Sequence, residues 1–214
     1  VLLVAHRTPP TRAGCEQLAA AGARVFEADV QLGADGQAVV SHFLPFGRFL
    51  QRDNWRLRWR AGAVRDPQLR HLAALVPQAC LVLVDLKETR PARRAALVHA
   101  LDGTLTPRER FRVCGGRPPD LDALRARGVR TWRTVGNRAE LRAVLAADRL
   151  PDEALSVRHS LLSARVLTAL HERVDTVVAW TVNDVGRARE LRGLGVDGVT
   201  TDRREILREL AGHS

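Results

Sequence analysis

The chain has 214 residues, 45% of them hydrophobic and 27% charged, with a formal net charge of +10. That length supports a full core, and residues 1–214 read as a single soluble globular domain. No apolar run approaches the roughly 20 residues of a membrane span, and no signal-peptide pattern is present. A cytoplasmic protein is the expectation, with a removed leader before Val1 left open. The positive charge comes almost wholly from arginine scattered over every predicted helix, with Lys87 the only lysine. Without a dense basic run or a recognition motif, it does not point to nucleic acid. Cys15, Cys80 and Cys114 are odd in number and widely spaced, which fits buried reduced thiols better than disulfides or a zinc site.

The chain opens on an apolar strand, Val1–Ala5, ending in His6-Arg7. Helix Arg12–Ala21 follows, with Cys15, Leu18 and Ala19 at helical spacing and Gly22 as a stop. Next comes VFEADVQLGADGQAVVSH, Val25 to His42: a strand, the turn signal Ala34-Asp35-Gly36, and a short apolar return, a hairpin extension of the second strand. Phe43 to Gln68 reads as an irregular insert. It holds Phe43, Phe46, Phe49, Trp55 and Trp59, five of the chain's nine aromatic residues.

After helix Leu69–Leu75 the alternation becomes regular. Strand Cys80–Lys87 precedes helix Pro91–Leu101, and strand Phe111–Cys114 precedes helix Asp120–Arg127. Val129–Thr134 leads to Arg138–Ala147, and Ala154–Arg158 to Ser163–Arg173. Thr176–Val182 is followed by Val185–Leu194, and Gly198–Thr201 by Arg204–Leu210. Eight strand–helix units predict an α/β chain closed into a (β/α)8 TIM barrel. No P-loop or GxGxxG follows any strand.

In such a barrel the chemistry gathers at the C-terminal strand ends. Glu27 and Asp29, two apart on one strand, share a face. Burying both is costly unless something neutralises them, and a hard divalent cation with oxygen ligands is the simplest candidate. His6 and Arg7 end the first strand, His42 follows the hairpin, and Asp85 and Lys87 end the third. Arg158 and His159 end the sixth strand, Trp180 and Asn183 lie at the seventh, Thr201 and Asp202 at the eighth. Asn183 and Asp202 read as caps of the helices that follow.

These residues and their order resemble the glycerophosphodiester phosphodiesterase family of (β/α)8-barrel enzymes. The matching pieces are AHR at Ala5–Arg7, FEADVQLGADGQAVVSH at Phe26–His42, LVDLK at Leu83–Lys87, AWTVND at Ala179–Asp184 and GVDGVTTD at Gly195–Asp202. The resemblance implies one divalent cation, Mg2+ or Ca2+, held by Glu27, Asp29 and Asp85. It implies His6 and His42 as the catalytic pair, Arg7 and Lys87 on the phosphate, and Trp180 lining the pocket. The family has Glu where this chain has Asp85, Gly where it has Thr8, and Asp where it has Phe43. Its Pro-Glu-Asn segment has no counterpart among Pro9–Arg12.

Physical chemistry runs parallel to that likeness. A phosphodiester is anionic and shielded, so a metal and fixed cations must take up charge in its transition state. Arg7 offers a planar fork and Lys87 a point charge. Two histidines suit proton removal and delivery near neutrality. Which is acid and which is base stays open, as does attack by water against attack by a substrate hydroxyl.

The expected activity is hydrolysis of a small glycerophosphodiester to glycerol 3-phosphate and an alcohol. The alternatives are a phospholipase D-type enzyme on lysophospholipids, or a degenerate barrel that binds phosphate esters without turnover. A lipid or membrane contact would fall on Phe43–Trp59, although those aromatics equally form a satellite core. The oligomeric state is not set by the sequence.

Overall fold

A computed structural model describes residues 1–41, 44–46, 50–53, 56–59 and 66–212, with side chains described outside 42–65. The chain opens with β1 (Leu2–Ala5), α1 (Arg12–Ala20), β2 (Val25–Leu32) and β3 (Ala38–Val40). Inside the aromatic insert the backbone forms β4 (Leu44–Phe46), β5 (Leu50–Asp53) and β6 (Arg56–Trp59), paired antiparallel in that order. Then come α2 (Leu69–Leu75), β7 (Leu81–Leu86), α3 (Pro91–Thr104), β8 (Phe111–Gly115), α4 (Pro118–Arg125), β9 (Arg130–Val135) and α5 (Arg138–Leu145). The chain ends with β10 (Ala154–Arg158), α6 (Ala164–His171), β11 (Val177–Trp180), α7 (Val185–Gly193), β12 (Gly198–Thr201) and α8 (Arg204–Ala211).

The strands pair in the order β1-β12-β11-β10-β9-β8-β7-β2, and β1 pairs with β2 as well, so eight parallel strands close on themselves. Eight α-helices accompany them among the described residues, and the fold is an α/β barrel of the TIM type. β3 returns antiparallel on β2, with Val30 opposite Val40, as the predicted hairpin extension. The helices start where the sequence supplies caps. Thr11, Asn137, Ser163 and Asp184 each accept a first-turn backbone N–H through their side chains, and Pro91 and Pro118 open α3 and α4, where a missing N–H costs nothing.

Two apolar layers follow from strand alternation. Outward residues such as Phe26, Val84, Val113, Val157 and Val199 pack beneath the helices. Inward residues Val4, Val25, Leu83, Cys114, Trp132, Ala154 and Val178 fill the barrel itself. Gly198 permits the closure: a Cβ there would stand 2.9 Å from the Leu2 carbonyl oxygen and 3.0 Å from Val178.

The N-terminal end of the barrel is closed by ion pairs, of which those of Asp152 are buried. Glu153 accepts from Arg112, Arg130 and the Trp132 indole. Asp152, its side chain fully buried, pairs with Arg125 and with Arg133 (3.0 Å) and accepts from Thr131 Oγ1 at 2.7 Å. Such a cluster is stable only when complete, because a buried charge left without its partner is heavily penalised. No helix among the described residues is long and apolar enough to cross a membrane.

Candidate active site

At the opposite, C-terminal end, a cavity of about 480 Å³ opens between β1, β2, β7 and the strands from β8 to β12. The charged side begins with β2. Glu27 and Asp29 both point inward and are each only 3% exposed. Parallel pairing sets Asp29 directly opposite Asp85 on β7. One carboxylate oxygen from each of Glu27, Asp29 and Asp85 lies within 4.8 Å of the other two. Burial, with Asp29 and Asp85 adding repulsion, pushes the Glu27 carboxyl well above its ordinary range. Burial likewise raises Asp85, against the pull of Lys87.

Lys87 Nζ sits 2.6 Å from Asp85 Oδ2 and 3.2 Å from Asp29 Oδ1. Burial opposes the lysine's charge, but the carboxylates of Asp85 and Asp29 overcome it and raise its pKa. Arg7 Nε lies 3.7 Å from Asp29 Oδ2. The backbone of Arg7 is left-handed (φ 51°), an arrangement that costs a non-glycine residue on the order of 1–3 kcal/mol. It delivers the Arg7 N–H to Glu27 Oε2 at 2.7 Å. Thr8 is not in that region, so its side chain brings no left-handed strain.

His6 reaches Asp202 at the end of β12, Nδ1 to Oδ1 at 2.7 Å. An ionised carboxylate only accepts, so the proton sits on Nδ1 and Nε2 is left to the cavity, 3.9 Å from Glu27 Oε2. Asp202 is itself held by Asn183, whose Nδ2 donates to Oδ2 at 2.7 Å while its Oδ1 receives the Asp202 backbone N–H and the Thr201 hydroxyl. The hydrogen bond from His6 is the main reason that the Asp202 carboxyl is held down to about 2. The expectation that Asn183 and Asp202 cap helices is thus corrected. Asp184 caps α7, and no side chain caps α8.

The neutral side of the cavity comes from β8 to β12: Cys114, Gly116, Thr134, Ser156, Trp180 and Thr200. Trp180 Nε1 donates to the Ser156 carbonyl at 2.8 Å, which fixes the ring across two strands. Thr134 Oγ1 is buried with no hydrogen-bond partner among the described residues. Burial and the nearby carboxylates of Asp85 and Glu27 push the Cys114 thiol well up, so it stays neutral.

Of the residues singled out from sequence, His6, Arg7, Glu27, Asp85, Lys87 and Trp180 line this one cavity, and Asp29 completes the carboxylate group. His42 lies outside the described residues, as do the side chains of Phe43, Phe46, Phe49, Trp55 and Trp59. Asp202 as partner of His6, and Thr134, were missed. The Asp202 signal was present in the topology: once β1 closes on β12, with Ala5 opposite Thr201, the next residue on each strand is His6 and Asp202.

The donor set suits a hard divalent cation, because all three groups offer oxygen and Glu27 Oε1 is buried with no hydrogen-bond partner among the described residues. Three carboxylates against Arg7 and Lys87 leave one net negative charge. An anionic ligand would add a second, and a dication offsets both. The molecule is therefore a (β/α)8 barrel with an acidic, cation-flanked centre at its C-terminal mouth.

Residues 122–206 match the model of the Glycerophosphoryl diester phosphodiesterase family. The match covers 85 of the chain's 214 residues, a likeness to that family over the C-terminal part of the barrel. The matched stretch includes Trp180, Asn183 and Asp202, while the carboxylate group lies outside it.

Solved structures share the fold over the whole chain. A phosphodiesterase from Oleispira antarctica, in complex with the product sn-glycerol-3-phosphate, aligns at TM-score 0.76 and 19% identity, covering 100% of this chain and 97% of that one. A glycerophosphodiester phosphodiesterase from Thermotoga maritima aligns at 0.72 and 21%, covering 100% and 98%. One from Parabacteroides distasonis aligns at 0.72 and 18%, covering 99% and 97%. A search of curated proteins finds no match.

Proposed function

We propose that this chain hydrolyses glycerophosphodiesters to glycerol 3-phosphate and an alcohol, with one Mg2+ or Ca2+ held by Glu27, Asp29 and Asp85. The observation that carries this reading is the meeting of three carboxylates, two fixed cations and an oriented histidine in one cavity. A bound dication would supply Lewis-acid polarisation of a phosphoryl oxygen. Arg7 and Lys87 bind and orient the phosphate, and their fixed charges oppose the negative charge that grows on it in the transition state. The net reaction breaks the P–O bond to the alcohol, joins a water oxygen to phosphorus and delivers a proton to the leaving alkoxide.

His6 is built for one of the proton transfers. Asp202 holds its Nδ1 proton and stabilises the imidazolium that forms when Nε2 takes a second. His42 is assigned the complementary transfer. Trp180, its ring fixed by the Ser156 carbonyl, lines the substrate pocket.

The test is release of glycerol 3-phosphate from glycerophosphocholine and glycerophosphoethanolamine, with Mg2+, Ca2+ or EDTA, using wild type, His6→Ala and His42→Ala. Release that needs metal and both histidines is expected. A folded, metal-binding protein that releases none from any glycerophosphodiester overturns the assignment in favour of a barrel that binds phosphate esters without turnover.

A further inference from the structure

Among the described residues, Arg7 is the one non-glycine residue with a positive φ. Its turn is fixed from both sides. The His6 N–H donates to the Thr201 carbonyl on β12 at 3.0 Å, and the Thr8 N–H donates to the Glu27 carbonyl on β2 at 2.9 Å. Between them, the Arg7 N–H reaches the carboxylate of the same glutamate, Oε2 at 2.7 Å. Two consecutive amides therefore grip Glu27 at its carbonyl and at its carboxylate. A left-handed residue is what lets neighbouring N–H groups converge in this way, as in the backbone concavities that hold anions.

The grip is one-sided. Glu27 Oε2 is engaged, whereas Oε1 is buried with no hydrogen-bond partner among the described residues. Glu27 shares its carboxylate group with Asp29 and Asp85, so Oε1 is the oxygen left for a hard cation. The Arg7 side chain points to a different acid, with Nε 3.7 Å from Asp29 Oδ2. One residue thus touches the carboxylate group twice, through its main chain and through its guanidinium.

We propose that Arg7 is a positioning residue of the cation centre through its main chain: the left-handed turn holds Glu27 by Oε2 and so presents Oε1 to the metal. This role is separate from the guanidinium's hold on phosphate. It rests on the metal-dependent reading above and deepens it. Substitutions that remove the same positive charge should then differ in metal affinity according to backbone preference alone. Glycine enters the left-handed region freely, alanine at some cost, and valine at more because its β-branched side chain crowds the backbone there.

The experiment is calorimetric titration of metal-free, substrate-free protein with Mg2+ and with Ca2+, using wild type, Arg7→Gly, Arg7→Ala and Arg7→Val. Circular dichroism checks that each is folded, and 15N–1H spectra follow the amide of residue 7. Arg7→Gly is expected to bind metal at least as tightly as wild type, since it keeps the turn and loses a repelling charge. Arg7→Val should bind about tenfold more weakly than Arg7→Gly, and Arg7→Ala about threefold more weakly. The residue 7 amide proton should lie downfield in wild type and Arg7→Gly, and move upfield in Arg7→Val.

Equal metal affinity in Arg7→Gly and Arg7→Ala overturns the proposal, whether or not Arg7→Val folds, and leaves the phosphodiesterase reading standing. An Arg7→Gly variant that binds metal more weakly than wild type also overturns it, because the side chain then carries the effect. Wild type that binds neither ion overturns this proposal and the metal-dependent reading together.

Discussion

Glu27→Gln removes one of three crowded carboxylates while keeping the shape of the side chain and an oxygen for the Arg7 N–H. Two like charges within 4.8 Å of each other repel by about 3 kcal/mol at an effective dielectric near 20. Glu27 faces two such neighbours and is itself buried, while Lys87 offsets part of the repulsion. In metal-free protein the variant should therefore be more stable than wild type at neutral pH, by about 2 kcal/mol, or roughly 4–8 °C in Tm for a chain of this size.

The pH dependence has a definite sign. Folded Glu27 holds its proton to a higher pH than the unfolded chain does, where the ordinary value is 4.5. Wild type thus loses stability progressively as pH rises above that value, until the folded group also ionises. Below it the two proteins should melt alike. A divalent ion reverses the order: at a hundred times its dissociation constant it stabilises wild type by about 2.7 kcal/mol, and the Gln variant by less. Thermal or urea unfolding in EDTA and in Mg2+ or Ca2+, below and above pH 4.5, measures all of this. Wild type as stable as the variant in EDTA at neutral pH would refute the crowding argument.

Other substitutions probe separate parts of the molecule. Asp202→Asn should cut kcat by about a hundredfold or more while leaving the fold intact, because the histidine loses the acceptor that sets its tautomer. Asp202's pKa is depressed from 3.8 to about 2, so its small stabilising contribution is present above pH 3.8 and fades as pH falls through 2; acid titrations of wild type and variant should diverge only above that fall. Thr134→Val, an isosteric loss of a buried hydroxyl that has no partner among the described residues, should leave stability unchanged or raised by about 1 kcal/mol. It should lower kcat/KM for polyol diesters, and a stability loss instead would mean that the hydroxyl is bonded in solution. Asp152→Asn should cost about 3–5 kcal/mol by stranding Arg125 and Arg133, with KM unmoved because the cluster closes the far end of the barrel; a change below 1 kcal/mol would show that the seal is dispensable.

Much of the architecture was legible because a parallel barrel writes itself locally. Each strand is a short apolar run and six of the eight helices carry a side-chain cap or an opening proline, so the eight units appear in order. The Glu27–Asp29 spacing put both acids on one strand face, and the single lysine stood out by rarity. The antiparallel trio β4–β6 was not foreseen inside its aromatic insert. Gly47 and Asp53-Asn54 are turn signals between its strands, but three- and four-residue runs rich in arginine show little apolar alternation.

Sequence alone determined the periodicities, the hairpin turn and most of the charged groups that reach the barrel mouth, because these depend on neighbours a few residues away. Only tertiary structure decided which of those groups touch. Closure of β1 on β12 sets His6 against Asp202, 196 positions away, and the β2–β7 register sets Asp29 opposite Asp85. It also places Lys87 between those acids, and sends Arg125 and Arg133 to Asp152 at the sealed end rather than to the site. The physical reason is range. Backbone and capping preferences act within a turn or two, whereas burial, charge pairing and the pKa shifts they cause belong to the register of strands far apart in the chain.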